Sequence, residues 1–289
     1  MTRDRAVPTG LDLYDQTATD ASAAVISAYS TSFALACRLL GARPRPHVRN
    51  VYALVRVADE VVDGPAAAAG LDVEMQRRVL DDLETETLAA IERGFSANLV
   101  VHAFAATARE TGIDGALVRP FFASMRTDLE TAQHDAASHD AYVYGSAEVV
   151  GLMCLHVFVN AGRAHPVDPD PELCDGARRL GAAFQELNFL RDLDHDAGAL
   201  GRDYLGARGS RSDVLDRIDA DLTAAAAVIP SLPADCRRAV TAAHDLFAAL
   251  SARLRRHPDG EGRVRVPDPV KATLAARAWL GFAPRTVRA

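Results

Sequence analysis

Two stretches of this 289-residue chain carry acidic residues at a spacing that can do chemistry. In "VYALVRVADEVVDG", residues 51–64, Asp59 and Asp63 stand four apart. On a helix they share a face, about 6 Å apart along the axis. Traced backwards, that face holds Arg56 and Tyr52, flanked by Val51, Leu54, Val55, Ala58 and Val62. In "AAFQELNFLRDLDHD", residues 182–196, the residues Gln185, Asn188, Asp192 and Asp196 fall at spacings of three, four and four. They form one polar stripe beside Phe184, Leu187, Leu190 and Leu193, with Arg191 next to it.

Helices that are apolar almost all round are buried, so each stripe is expected to face an internal cavity. Buried carboxylates without a counter-charge are prohibitively costly. A hard divalent cation with oxygen ligands removes that cost, and Mg²⁺ commonly bridges carboxylates and substrate phosphates while keeping several waters. Two acidic helices facing each other across a bundle therefore suggest a diphosphate held with Mg²⁺. Arg56 and Arg191 are positioned to contact its oxygens. One DxxxD alone reads as a solvated helix face; two in apolar helices, each with an arginine, do not. A di-iron bundle would need Glu-x-x-His pairs, but Glu148 is followed by Gly151 and Glu186 by Phe189.

The elements that must position these residues are helices. Apolar residues recur at helical spacing and no segment sustains strand alternation. Proline and glycine clusters punctuate the chain, among them "GARPRP" at 41–46, "DGPAAAAG" at 63–70 and "HPVDPDPE" at 165–172. The reading is helical over 17–40, 47–63, 73–93, 96–111, 115–132, 142–163, 172–196, 212–228, 233–256 and 268–280, with "HDAASHD" at 134–140 a loop. The fold class is all-α: one domain over 1–289, its core about 17–280, a bundle around a shared interior.

Composition narrows the partners. Lys+Arg 32 against Asp+Glu 39 gives a net charge of −7, and no dense basic run exists, so no nucleic-acid partner is expected. Cys37, Cys154, Cys174 and Cys236 are far apart with no CxxC pair, and read as reduced cytosolic packing residues. The N-terminus "MTRDRAVPTGLDLYDQ" has no secretory h-region, and no run of about 18 apolar residues is seen, so nothing is expected to span a membrane. A cytoplasmic location follows, and an apolar substrate would be met peripherally at a membrane surface.

At these same residues the chain resembles the squalene/phytoene synthase family of head-to-head prenyl transferases, over roughly residues 17–280. "YSTSFALACRLL" at 29–40 is similar to the family's Ser-x-Ser-Phe segment, and "VYALVRVADEVVD" to its first aspartate-rich motif. "MRTDLE" at 125–130 and "YVYGSAEVVGLM" at 142–153 resemble its middle segments. "LGAAFQELNFLRDLDHDAGALGRDYL" at 180–205 resembles its second aspartate-rich motif and the Arg-x-Tyr-Leu that follows.

The resemblance implies an isoprenoid-synthase bundle with a central hydrophobic channel. It implies Mg²⁺-dependent joining of two identical prenyl diphosphates through a cyclopropylcarbinyl diphosphate. The substrate most like the resemblance is geranylgeranyl diphosphate, giving phytoene. The alternatives are farnesyl diphosphate giving a C30 product, a cyclase acting on one prenyl diphosphate, and a non-enzymatic helical scaffold. Mn²⁺ could replace Mg²⁺. NADPH is not expected, since the phytoene route needs no reductant and no glycine-rich dinucleotide fingerprint is seen. Downstream carotenoid enzymes are the implied protein partners, with transient membrane-surface association at the inner face.

By the same resemblance, Asp59 and Asp63 would bind Mg²⁺ at one end of the cavity, and Asn188, Asp192 and Asp196 at the other. Arg56 and Arg191 would hold diphosphate oxygens. Tyr52, Ser30, Ser32 and Phe33 would line the substrate end near the first motif, and Tyr142, Ala147, Gly151 and Gln185 the channel. Gly151 also reads as a point of close helix approach. Tyr204 matches the tyrosine after the second motif, with Arg202 a phosphate contact. Three departures stand out: Glu148 where a small glycine is common, read here as facing outward; Phe189 in place of a smaller aliphatic; and a stretch from Asp196 to Tyr204 one residue longer, containing Asp203. His195 lies off the stripe.

Overall fold

The computed structural model describes residues 9–130, 136–193, 209–257 and 264–285, except for the side chains of 31, 32, 136, 137, 192 and 193. All regular structure among them is helical. In chain order the helices are α1 (Gly10–Tyr29), α2 (Thr31–Leu39), α3 (Arg45–Val62), α4 (Pro65–Ala68), α5 (Val73–Arg93), α6 (Leu99–Thr111), α7 (Gly115–Glu130), α8 (Ala136–Val143), α9 (Val149–Asn160), α10 (Pro171–Leu193), α11 (Arg211–Val228), α12 (Ala234–Arg256) and α13 (Asp268–Trp279). A π-helical turn, Tyr144–Glu148, joins α8 to α9, and a 3-10 turn, Ile229–Ser231, follows α11.

Local chemistry sets most boundaries. Asp72 accepts from the Met75 amide and starts α5, and Gly94 ends it in the left-handed region at φ +81. Asn98 caps α6 through the Val100 and Val101 amides. Ser210 and Asp213 form a reciprocal capping box on α11. Three expectations change. The first helix begins at Gly10 and breaks at Ser30, whose hydroxyl accepts from the Phe33 amide at 3.0 Å and so restarts the chain as α2. The segment read as a loop at 134–140 is helical from Ala136. The continuous helix read over 142–163 is interrupted by the π-turn.

The largest apolar cluster packs residues of α1, α2, α3, α5, α6, α7, α9 and α12, with Phe104, Phe121, Phe122 and Leu54 fully buried. A second joins α10, α11 and α12 around Leu187, Leu190, Ile218 and Leu222. Arg43 braces the loop before α3 across the molecule: its guanidinium donates to Asp235 at 2.9 Å and to the Phe158 and Ala161 carbonyls. Inside α3, Asn50 donates to the Ala103 carbonyl and the Thr107 hydroxyl, which locks α3 on α6.

The run Ser138–Asn160 is long and apolar enough to cross a bilayer by length and composition, with an 18-residue window of mean hydropathy 1.5, although no unbroken apolar run marks it in the sequence. Half of that window is buried inside the protein, so it serves here as a core element. Its glycines permit backbone-to-backbone contact. A Cβ at Gly145 would lie 2.3 Å from the Pro120 carbonyl oxygen, and one at Gly151 would lie 2.5 Å from that of Ala177. A Cβ at Gly181 on α10 would lie 2.5 Å from the Ala147 carbonyl oxygen. Gly181→Ala is therefore expected to lower unfolding free energy by about 1–3 kcal/mol in urea titration. An unchanged midpoint would contradict the close approach.

Candidate active site

Helix α3 delivers the first acidic pair at its C-terminal end. Asp59 lies in the last turn, half-buried, and Asp63 is the exposed C-cap, its amide donating to the Asp59 carbonyl at 2.8 Å. A helix C-terminus carries partial negative charge, so two carboxylates there are doubly disfavoured without a cation. The Asp59 carboxyl is accordingly pushed up to about 7, first by burial, then by Asp63, with Arg56 opposing and Asp128 adding.

Asp128 on α7 belongs to this cluster, and sequence reading missed it although it quoted "MRTDLE". Its carboxyl is also raised to about 7, mainly by burial and further by Asp63, against the lowering effect of its hydrogen bond from Tyr142. Asp128 keeps solvent-accessible surface while protein surrounds it, which places it in a concavity. Tyr142 donates its hydroxyl to Asp128 Oδ2 at 3.1 Å. Burial and the three surrounding aspartates push the Tyr142 hydroxyl far above its ordinary value, so it remains a proton donor. The signal that could have found Asp128 is its place four residues after Ser124 on a helix whose buried face is otherwise apolar.

Among the described residues α3 and α10 do not pack closely; other side chains bridge the gap. On one side Phe33 of α2 sits 5.8 Å from the Tyr52 ring and 5.5 Å from the Phe184 ring, centroid to centroid. On the other, Tyr142 lies 5.7 Å from Phe189 of α10. Phe189 thus packs on the tyrosine that binds Asp128. The Tyr52 hydroxyl is raised by burial, partly offset by its hydrogen bond with Ser30. Gln185 and Asn188 are half-buried on α10, and Arg191 lies in its last turn. Asp192 shares that turn, but its side chain and that of Ser32 lie outside the described residues, as do Asp196, Arg202, Tyr204, His195 and Asp203.

Arg56 has company that sequence reading missed. It forms an ion pair with Glu60 one turn on, and its guanidinium stacks over Tyr29 with 4.7 Å to the ring centroid. Its Nε remains buried without a hydrogen-bond partner, a donor suited to an oxyanion. Glu148, read as facing outward, is only 16% exposed at its side chain. It lies in a cavity of about 400 Å³ between the π-turn, α10 and α11, where Arg178 donates to it at 2.7 Å. The arginine one helix away supplies the counter-charge that makes burial tolerable. Ala147 and Gly151 lie where this helical run meets α10.

The donor set fits Mg²⁺. No group of three or more His, Cys, Asp or Glu that could hold a metal ion is gathered among the described residues. Mg²⁺ needs only one or two carboxylates when diphosphate oxygens and water complete its octahedron. The raised carboxyls around Asp59 show a surplus of negative charge of the kind such a cation relieves.

Comparison with known proteins decides the family. Residues 26–209 match the squalene/phytoene synthase family model. The chain belongs to that family. It is a prenyl transferase, and the family implies prenyl diphosphate substrates. It is 29% identical over 256 residues to the 15-cis-phytoene synthase of a Paracoccus species, covering 81% of each chain. It is 30% identical to the phytoene synthase of Cereibacter sphaeroides, over 82% of this chain and 72% of that one. The presqualene diphosphate synthase of Rhodopseudomonas palustris is 26% identical, over 80% and 77%. In fold, the chain is similar to a dehydrosqualene synthase crystal structure, with TM-score 0.74 over 92% of this chain and 96% of that one at 21% identity. It is also similar to a squalene synthase from Alicyclobacillus acidocaldarius, with TM-score 0.70 over 89% and 98% at 18% identity.

The raised Asp59 carboxyl makes a pH-dependent prediction. In the fold it holds a proton that the unfolded chain releases, so stability falls as pH climbs from 3.8 through about 7. Asp59→Asn removes that penalty. The melting midpoint of the metal-free protein should rise by about 2–4 °C at pH 8 and change little at pH 4. An equal effect at both pH values would sink the assignment.

Proposed function

We propose that this chain joins two geranylgeranyl diphosphates head to head to give phytoene, with Mg²⁺. The observation that carries the reading is the acidic cluster of Asp59, Asp63 and Asp128, in which the Asp59 and Asp128 carboxyls are raised, bridged through Tyr142 and Phe189 to the polar stripe of α10. Similarity to phytoene synthases over about four fifths of the chain supports the longer substrate.

In this reading Asp59 and Asp63 hold cation at one end, and Asn188, Asp192 and Asp196 at the other. Arg56 and Arg191 take diphosphate oxygens, with Arg202 a further phosphate contact and Tyr204 the tyrosine that follows the second motif. Bound Mg²⁺ would supply charge neutralisation to the departing diphosphate. Ser30 fixes Tyr52 and starts α2, so Phe33 stands between α3 and α10 as an apolar wall. Tyr142, Ala147, Gly151 and Gln185 border the channel that excludes water. The C1–O bond of the first substrate breaks, and diphosphate leaves with the electron pair. The double bond of the second substrate attacks the allylic cation, and one proton is lost to close the cyclopropane. Ionisation of that product releases the second diphosphate, and rearrangement with loss of a second proton gives the forty-carbon hydrocarbon with a central conjugated triene. No reductant enters the balance, so NADPH is not required. The apolar chains favour transient contact with a membrane surface, where downstream carotenoid enzymes would collect the product, and a cytoplasmic location at its inner face.

A second reading, condensation of two farnesyl diphosphates, is supported by the likeness to a presqualene diphosphate synthase. The experiment that separates them is incubation of the purified protein with Mg²⁺ and each diphosphate, without NADPH, followed by mass spectrometry. Phytoene from the longer substrate is expected. A C30 hydrocarbon or presqualene diphosphate from the shorter one alone would transfer the enzyme to the second reading, and a cyclised monomer would reject both. Asp59→Ala and Asp192→Ala should each lower turnover at least about 10²-fold while the fold persists by circular dichroism. Turnover close to that of the unaltered protein in either variant would remove that residue from the site.

A further inference from the structure

We infer that the C-terminal tip of the bundle, Trp279, Leu280 and Phe282 with Arg277 and Arg285 beside them, docks this chain on an anionic phospholipid bilayer. Helix α13 packs on α12 and α2, burying Leu274 and Ala278. At its end the chain turns at Gly281, φ +83, and leaves three large apolar side chains in the open: Trp279 at 59%, Leu280 at 64% and Phe282 at 54% exposure. The turn is held in place. The Arg285 amide donates to the buried Asp245 of α12 at 2.8 Å, and the Arg277 guanidinium lies 5.0 Å from the Phe282 ring centroid. Such a fixed display of apolar side chains in water calls for an occupant.

Charge selects the occupant. Residues 274–285 carry Arg277 and Arg285 and no acid, in a chain whose net charge is −7. Two other pairs of exposed apolar residues lack this setting. Leu11 and Leu13 neighbour Asp12 and Asp15, and Val73 and Met75 neighbour Asp72 and Glu74. An anionic surface would repel those patches and attract the C-terminal one. A two-fold contact with a second copy would set the same arginines against each other, which disfavours self-association through this face. Tryptophan and phenylalanine beside arginine suit the headgroup boundary of a bilayer, and basic residues next to an anionic leaflet strengthen the contact.

This deepens the proposed function, which supplies the reason for lipid contact: two apolar substrates and an apolar product. Its test contains no prenyl diphosphate, so vesicle binding and turnover can fail independently. Trp279 is the only tryptophan in the chain, so selectively excited tryptophan emission reports on the tip alone. Purified full-length protein is titrated with phosphatidylcholine vesicles, with and without phosphatidylserine, and read by emission and co-sedimentation. Emission should move to shorter wavelength with the anionic vesicles, together with co-sedimentation, and both should weaken as salt rises. Leu280→Ser with Phe282→Ser should weaken vesicle binding at least about tenfold. Should that variant misfold, Arg285→Glu, which keeps the backbone amide that reaches Asp245 and all three apolar side chains, should weaken binding to anionic vesicles about tenfold or more. Absence of co-sedimentation, or co-sedimentation with unchanged emission, would overturn the inference. So would an emission shift produced by raising protein concentration without lipid.

Discussion

Like charges at the C-terminal end of an apolar helix are the constraint on which this structure turns. Asp59 and Asp63 sit where the α3 dipole is negative, and Asp128 adds a third carboxylate from α7. Two of these carboxyls are raised to about 7, so the fold carries a cost at neutral pH that packing elsewhere must offset. The large cluster around Phe104, Phe121 and Phe122, the Asn50 contacts to α6 and the Arg43 brace hold α3 in place despite that cost. Carboxyls perturbed in this way cluster at functional sites.

Around that cluster the bundle keeps two acidic elements apart. Phe33 and Tyr142 each reach toward α10 from opposite sides, one by ring contact with Phe184 and one by ring contact with Phe189. Both spacers depend on local breaks in helical continuity. Ser30 interrupts the first helix and caps the next, and the π-turn at Tyr144–Glu148 follows Tyr142. A π-turn inserts a residue into the helix and resets which side chains face the neighbour, and such insertions recur at functional sites. Glycines at 145, 151 and 181 let the run meet α7 and α10 at backbone distance.

Much of this was legible in the sequence because several signals agreed. Helix α5 runs Val73–Arg93 as read, since Asp72 and Gly94 mark both ends. The stripe of Asp59 and Asp63 showed as polar residues at helical spacing among apolar ones. The departures came where one signal stood alone. Ser30 is a poor helix interior residue only if its hydroxyl finds the Phe33 amide, which spacing does not reveal. "HDAASHD" looks polar enough for a loop, yet His139 is buried against Glu186 and Phe189 of a helix remote in sequence. Asp128, the Arg56–Glu60 pair and the Arg178 partner of Glu148 depend on contacts between side chains, two of the three across long sequence separations. Periodicity within one helix cannot display the two that cross between elements, whereas the Arg56–Glu60 pair stands at i,i+4 and was there to be read.

The account centres on a cation and a diphosphate sharing the space between the acidic cluster and α10. The most direct measurement is calorimetric titration of the protein with an unreactive prenyl thiodiphosphate, with and without Mg²⁺. The account requires each ligand to tighten the other by the same factor, at least about tenfold, with the coupling lost in Asp59→Asn. Equal affinity for the analogue with and without Mg²⁺ would contradict it.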